Sequence, residues 1–190
     1  MLGTSLSVSA AELITNGTFD TGLASWTASG VVGRSSTSTL PVQAAAISGD
    51  SAIFNYGDLG GDATLLQTIT TVVGHSYKLQ FRHAYNAADH GQKLRVQIAG
   101  SSIIRDETVL NDAPYDAPKT VVFIFVATST LTTITFRDDL DFTPGPCCGS
   151  GSDILLDDVS VTDSSTATSA PIDFNFSKQP DTFAIEIEMK

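Results

Sequence analysis

A chain of 190 residues with 21 acidic and 10 basic side chains, a formal charge of −11, is long enough for one domain with its own core and an appended segment. That charge, with no basic patch anywhere along the sequence, repels phosphate backbones and excludes nucleic acid as a partner; no apolar run is long enough for membrane insertion. Divalent cations are favoured instead, and abundant Thr, Val, Ile and Phe between Gly- and Asp-marked turns point to an all-β chain.

Residues 1–11 read as an N-terminal arm or trimmed leader, because their small residues resemble the end of an export signal without a basic start or a sustained apolar run. Glu12-Leu13-Ile14-Thr15 predicts a first strand and Asn16-Gly17-Thr18-Phe19-Asp20 a tight turn. Trp26 follows, as a ligand platform or, the reading favoured here, a buried lid over the core. Short strands are expected at 31–32, 42–47 and 52–56. A longer one is expected at 63–73, with Leu65, Gln67 and Ile69 on one face. The clearest alternation comes next: Tyr77, Leu79, Phe81, His83 and Tyr85 face one way, and Lys78, Gln80 and Arg82 the other.

Leu94, Val96 and Ile98 repeat the two-residue period, with a brief partner at 102–105, and the prolines of 111–118 mark a loop. Val121-Val122-Phe123-Ile124-Phe125-Val126 is apolar on both faces and predicts a central strand, followed by Leu131, Ile134 and Phe136. A loop over 137–146 carries Asp138, Asp139 and Asp141. The adjacent Cys147 and Cys148 then admit a strained vicinal disulfide, a bond to a second chain, or two free thiols.

The strand expected to close the domain, Ile154-Leu155-Leu156-Asp157-Asp158-Val159-Ser160-Val161, places two carboxylates in an apolar run. Buried acid needs something to offset its desolvation, and a metal ion is the candidate. A Ser/Thr/Ala linker at 164–171 sets the domain boundary. Beyond it, over 172–190, Ile172, Phe174 and Phe176 alternate, and after Pro180 so do Phe183, Ile185, Ile187 and Met189. Short, evenly spaced strands without intervening helices predict a two-sheet antiparallel β-sandwich over 12–163. The C-terminal strands are additional, and dock on the sandwich or on a partner.

The order of these motifs resembles the galactose-binding-like jelly-roll superfamily, in particular the carbohydrate-binding modules attached to xylanases and glucanases. The residues that carry the resemblance are Asn16-Gly17-Thr18-Phe19-Asp20, Trp26, Gln67 through Ile69, Gly74 with Tyr77, Leu79 and Phe81, and Leu155-Leu156-Asp157-Asp158-Val159-Ser160-Val161. The resemblance implies a structural calcium ion tying the exit of the first strand to the last strand. Asp20 and Asp157 would be its side-chain ligands, with Asn16, Gly17 and Asp158 as backbone or supporting contributors. Asp20 stands where the family more often has glutamate, which has a longer reach.

For a glycan, the expected groups are Arg82, His83, Tyr85, Asn86, Asp89, Arg95, Gln97 and Tyr115, chosen for aromatic faces and for amides, carboxylates and imidazoles that match hydroxyls. His75, His83 and His90 form no metal or triad pattern, and nothing pairs a nucleophile with a base, so the chain is expected not to be an enzyme. The expected function is that of a non-catalytic, calcium-stabilised carbohydrate-binding module recognising a glycan or surface. The alternative is a structural or adhesive component of a larger assembly, such as a viral capsid decoration or fibre-associated protein, bound to protein neighbours or to itself through its termini. Both place it outside the cell, surface-exposed or on a virion, without membrane insertion.

Overall fold

The computed structural model describes residues 10–36, 47, 49–55, 63–85, 92–111, 118–138 and 154–165. Ten strands are formed: β1 (Thr27–Ser29), β2 (Val32–Ser36), β3 (Asp50–Phe54), β4 (Thr64–Thr70), β5 (Ser76–Tyr85), β6 (Gln92–Ala99), β7 (Ile103–Asn111), β8 (Lys119–Val126), β9 (Leu131–Asp138) and β10 (Ile154–Asp163). They pair antiparallel into two five-stranded sheets, a first of order β2-β3-β10-β5-β8 and a second of order β1-β4-β9-β6-β7. The expected all-β, jelly-roll-like sandwich is the observed one. No helix among the described residues is long and apolar enough to cross a membrane.

Alternation explains which side chains fill the space between the sheets. From the first sheet come Phe54, Tyr77, Leu79, Phe81, Leu156 and Val161, and from the second Leu65, Leu94, Val96, Ile98, Ile134 and Phe136, all buried. Phe81 meets Phe136 edge-on at 5.1 Å, joining the sheets at their centre. Trp26 packs against Phe19 at 5.5 Å and Phe136 at 6.2 Å, so it is part of the core and not a platform.

Three expectations are corrected. Residues 12–15 form only an isolated bridge, Glu12 to Thr162, because the chain turns at once through a left-handed Asn16 at φ 56°. The partner of β6 is longer than the expected 102–105, running Ile103–Asn111. Most informative is β8, expected to be central: it is the last strand of its sheet, and Val122, Ile124 and Val126 on its outward face are about half exposed. Its inward row, including Phe125, is what the core needs; its outward row has no cover among the described residues. β10, by contrast, lies in the middle of the first sheet between β3 and β5. The strands expected at 42–46 and across 172–190, the cysteines, Asp139 and Asp141 lie outside the described residues.

Candidate functional site

The first cluster lies where the N-terminal loop meets β10. Between Asp157, opposite Arg82, and Ser160, opposite Gln80, β10 carries one residue too many, and this bulge puts Asp158 in the left-handed region at φ 50°. Asp157 is 1 % exposed, and its Oδ1 accepts the Asp158 amide at 2.7 Å. Burial pushes its carboxyl up to about 7; the charges of Asp158 and Asp20 add to that, and the Asp158 amide and Arg82 oppose it. Arg82 donates from Nη1 to Asp158 Oδ2 at 3.2 Å.

The loop is held against this bulge by a framework of polar groups. Gly17 accepts the Val159 amide at 3.0 Å, so closely that a Cβ on Gly17 would lie 1.9 Å from the Val159 carbonyl oxygen. Asn16 closes the turn, donating from Nδ2 to the carbonyls of Gly22 and Ala24 and accepting the Thr21 amide, while its own carbonyl accepts Trp26 Nε1. Asp20 is exposed and accepts Thr18 Oγ1 at 2.8 Å. Among the described residues no group of three or more His, Cys, Asp or Glu converges as a metal cluster.

Two further residues hold this framework together. Glu12 Oε1 accepts the amides of Ile14 and Val161, and its Oε2 accepts Ser160 Oγ, so one carboxylate clips the N-terminus to β10. Gln67, placed correctly on the inner face of β4, uses its amide to bind the backbone of Thr15 twice and that of Ser25 once. Gln67 belongs to the motif that carries the resemblance, but its role, like that of Glu12 on β10, depends on partners far away in the sequence.

The second cluster lies on the outer face of the second sheet. Thr64 on β4, Thr135 and Arg137 on β9, and Arg95 and Gln97 on β6 line an open cleft of about 300 Å³. Register explains the grouping: Arg137 lies opposite both Thr64 and Arg95, and Thr135 opposite Gln97. Arg95 forks onto Asp106 with two bonds of 2.7 Å, and Gln97 Nε2 adds a third at 3.2 Å. Hydrogen bonding from Arg95 holds the Asp106 carboxyl below the usual carboxylate range. These contacts fix guanidinium, amide and carboxylate in place before any ligand arrives.

The residues expected to bind a glycan are thereby divided. Arg95 and Gln97 share the cleft, whereas Arg82 lies on the outer face of the opposite sheet beside Asp158. His83 turns inward and is 2 % exposed; its Nε2 has no hydrogen-bond partner among the described residues, and burial, with the nearby Lys119 charge, lowers its pKa to about 4. The side chain of Tyr85, and Asn86, Asp89 and Tyr115, lie outside the described residues. Thr64, Thr135 and Arg137 were missed.

No protein-family model matches the chain, and no curated protein matches it in sequence. Solved structures share its fold. A carbohydrate-binding module of family 61 in complex with β-1,4-galactotriose aligns with a TM-score of 0.62 at 18 % identity, over 81 % of this chain and 99 % of that one. A family 4 carbohydrate-binding module aligns at 0.54 and 19 % identity, over 79 % and 99 %. The Stig cyclase Fisc from Fischerella sp. TAU aligns at 0.58 and 17 %, over 83 % and 99 %. What these share with the chain is a jelly-roll sandwich of the carbohydrate-binding-module type. Since that sandwich occurs both in named binding modules and in a cyclase, its function has to be argued from the site.

Proposed function

We propose that the chain is a non-catalytic carbohydrate-binding module that takes its ligand on the outer face of the second sheet. The observation that carries this reading is the cleft itself: two guanidinium groups, an amide and threonine hydroxyls on three adjacent strands, open to solvent, with Arg95 and Gln97 pre-set by Asp106. Such planar, multidentate groups suit the closely spaced hydroxyls of a sugar. They offer no nucleophile with a base. The pair formed by His75 Nδ1 and Asp163 Oδ2 at 2.8 Å belongs to the opposite end of the sandwich, at the start of β5. Recognition of a polysaccharide or a glycosylated surface fits a location outside the cell.

The test is binding of the full chain to a panel of soluble oligosaccharides by calorimetry and of insoluble polysaccharides by pull-down. Saturable binding that weakens at least tenfold in both Arg95→Ala and Gln97→Ala, a loss of about 1.4 kcal/mol or more, is the expected result. Binding unaffected by these changes would move the site elsewhere. No binding by folded protein across the whole panel would favour the alternative of a structural component in a larger assembly.

The loop and bulge are also proposed to hold calcium. The donor chemistry fits: a buried Asp157 carboxylate, a nearby Asp20 and the backbone carbonyls of a loop pressed against β10 are all hard oxygen donors. A bound cation would favour the charged form of Asp157 that burial disfavours, and would tie the two ends of the domain together. Saturating calcium is expected to stabilise the full chain by about 2.7 kcal/mol at a hundredfold excess over Kd, read as a higher melting temperature that chelator reverses and Asp157→Asn removes. Equal melting temperatures with calcium and with chelator would refute the site.

A further inference from the structure

We propose that the C-terminal segment of the same chain, residues 172–189, docks on β8 and extends the first sheet at its open edge. Among the described residues β8 ends its sheet, and its outward row of Val122, Ile124 and Val126 is 48 %, 51 % and 50 % exposed. Val72 and Val73, in the turn before β5, are also more than half exposed. The inward residues Val121 and Phe123 are only partly buried, so the edge is apolar on both faces. A long, apolar, unpaired edge is a template for another strand.

The exit of the described chain identifies the occupant. After β10 the Ser164 amide bonds the Ser76 carbonyl at 2.8 Å and Ser165 Oγ accepts the Ser76 amide at 2.9 Å. Ser76 lies opposite Val126. The chain therefore leaves the sandwich from β10, two strand spacings from β8 and level with its C-terminal end. Strands are about 4.8 Å apart, so a strand on the open side of β8 would lie three spacings, about 14 Å, from that exit, whereas residues 166–171 reach roughly 20 Å when extended.

A segment arriving at Val126 and running along the edge is antiparallel to β8, as every other pair in this sheet is. Ile172, Phe174 and Phe176, and then Phe183, Ile185, Ile187 and Met189, repeat every second residue, the spacing of Val122, Ile124 and Val126. Charge agrees. Asp173, Glu186 and Glu188 come from the tail, while Lys78, opposite Ile124, and Lys119, opposite His83, belong to the strands that receive it.

Residue-resolved hydrogen exchange on the full chain tests this. In a β8 paired only with β5, alternate amides are open to solvent; with the tail docked both sets are protected, and so are amides in 172–176. Phe174→Asp and, separately, Ile185→Asp, both beyond the 164–171 linker in sequence, are expected to speed exchange of the edge-facing β8 amides at least tenfold while leaving β10 unchanged. The reciprocal change Ile124→Asp should release the amides of 172–176. Light scattering should give a monomer throughout. The proposal is overturned if the edge-facing amides exchange freely in the unaltered chain, or if their protection survives both tail variants. Protection that instead falls on dilution together with a dimeric mass would assign the edge to a second copy, and protection lost only on altering residues 1–9 would assign it to the N-terminal arm.

Discussion

Gly17→Ala is expected to destabilise the domain by about 3 to 5 kcal/mol, more than any other single methyl group added at a described glycine. A Cβ there would lie 1.9 Å from the carbonyl oxygen of Val159 and 2.9 Å from its carbonyl carbon, backbone atoms in the central strand β10 that cannot rotate aside. The loop has to lift away instead. That movement breaks the bond from the Val159 amide to Gly17 at 3.0 Å and disturbs Asn16, whose carbonyl anchors Trp26. Gly33 provides the comparison, since its added Cβ would meet only the Ile53 side chain at 3.5 Å, an ordinary contact. Gly33→Ala should change stability by less than about 1 kcal/mol. Urea denaturation of both variants in chelator separates this steric effect from any metal, and equal stabilities would show that the loop does not sit as tightly on β10 as its geometry requires.

The sandwich was legible because its strands alternate cleanly: the inner row of β5, from Tyr77 to His83, and that of β6, Leu94, Val96 and Ile98, are buried as their period implies. Where reasoning from the sequence failed, the cause was a relation between distant segments. β5 and β6 are consecutive, and a hairpin would have put Arg82, Arg95 and Gln97 on one surface; they belong to opposite sheets, so their outer faces point away from each other. The cleft takes its remaining members from β4 and β9, which register brings beside β6. Similarly, a run that is apolar on both faces normally marks a strand with neighbours on each side. In β8 it marks an edge of the described sheet, and that discrepancy between pattern and position is the ground for proposing a docked segment there. The acid in β10 was read correctly as buried, but which of its two carboxylates goes inside depends on the bulge, which no periodicity shows.

Acid should destabilise the domain through His83. This imidazole is buried beside Phe81 at 6.2 Å, pairs in register with Leu156 and Lys119, and has a pKa lowered from 6.5 to about 4, by burial first and by Lys119 second. The unfolded chain therefore binds a proton at a higher pH than the folded one. The stability of the neutral, buried form is fully present above pH 6.5 and is lost as pH falls towards 4, by about 3 kcal/mol in all. Asp157 acts in the opposite direction: its folded pKa, raised to about 7, makes the apo protein more stable as pH falls below 7. The raw slope of stability against pH mixes the two. His83→Phe keeps a flat ring in the same space and removes only the first, so the variant should gain about 3 kcal/mol relative to the parent between pH 7 and pH 4, measured by denaturation of both in the same chelator-containing buffers. A constant difference between the two proteins across that range would mean that His83 is protonated as easily folded as unfolded, and that the inner row of β5 opens to water at its end.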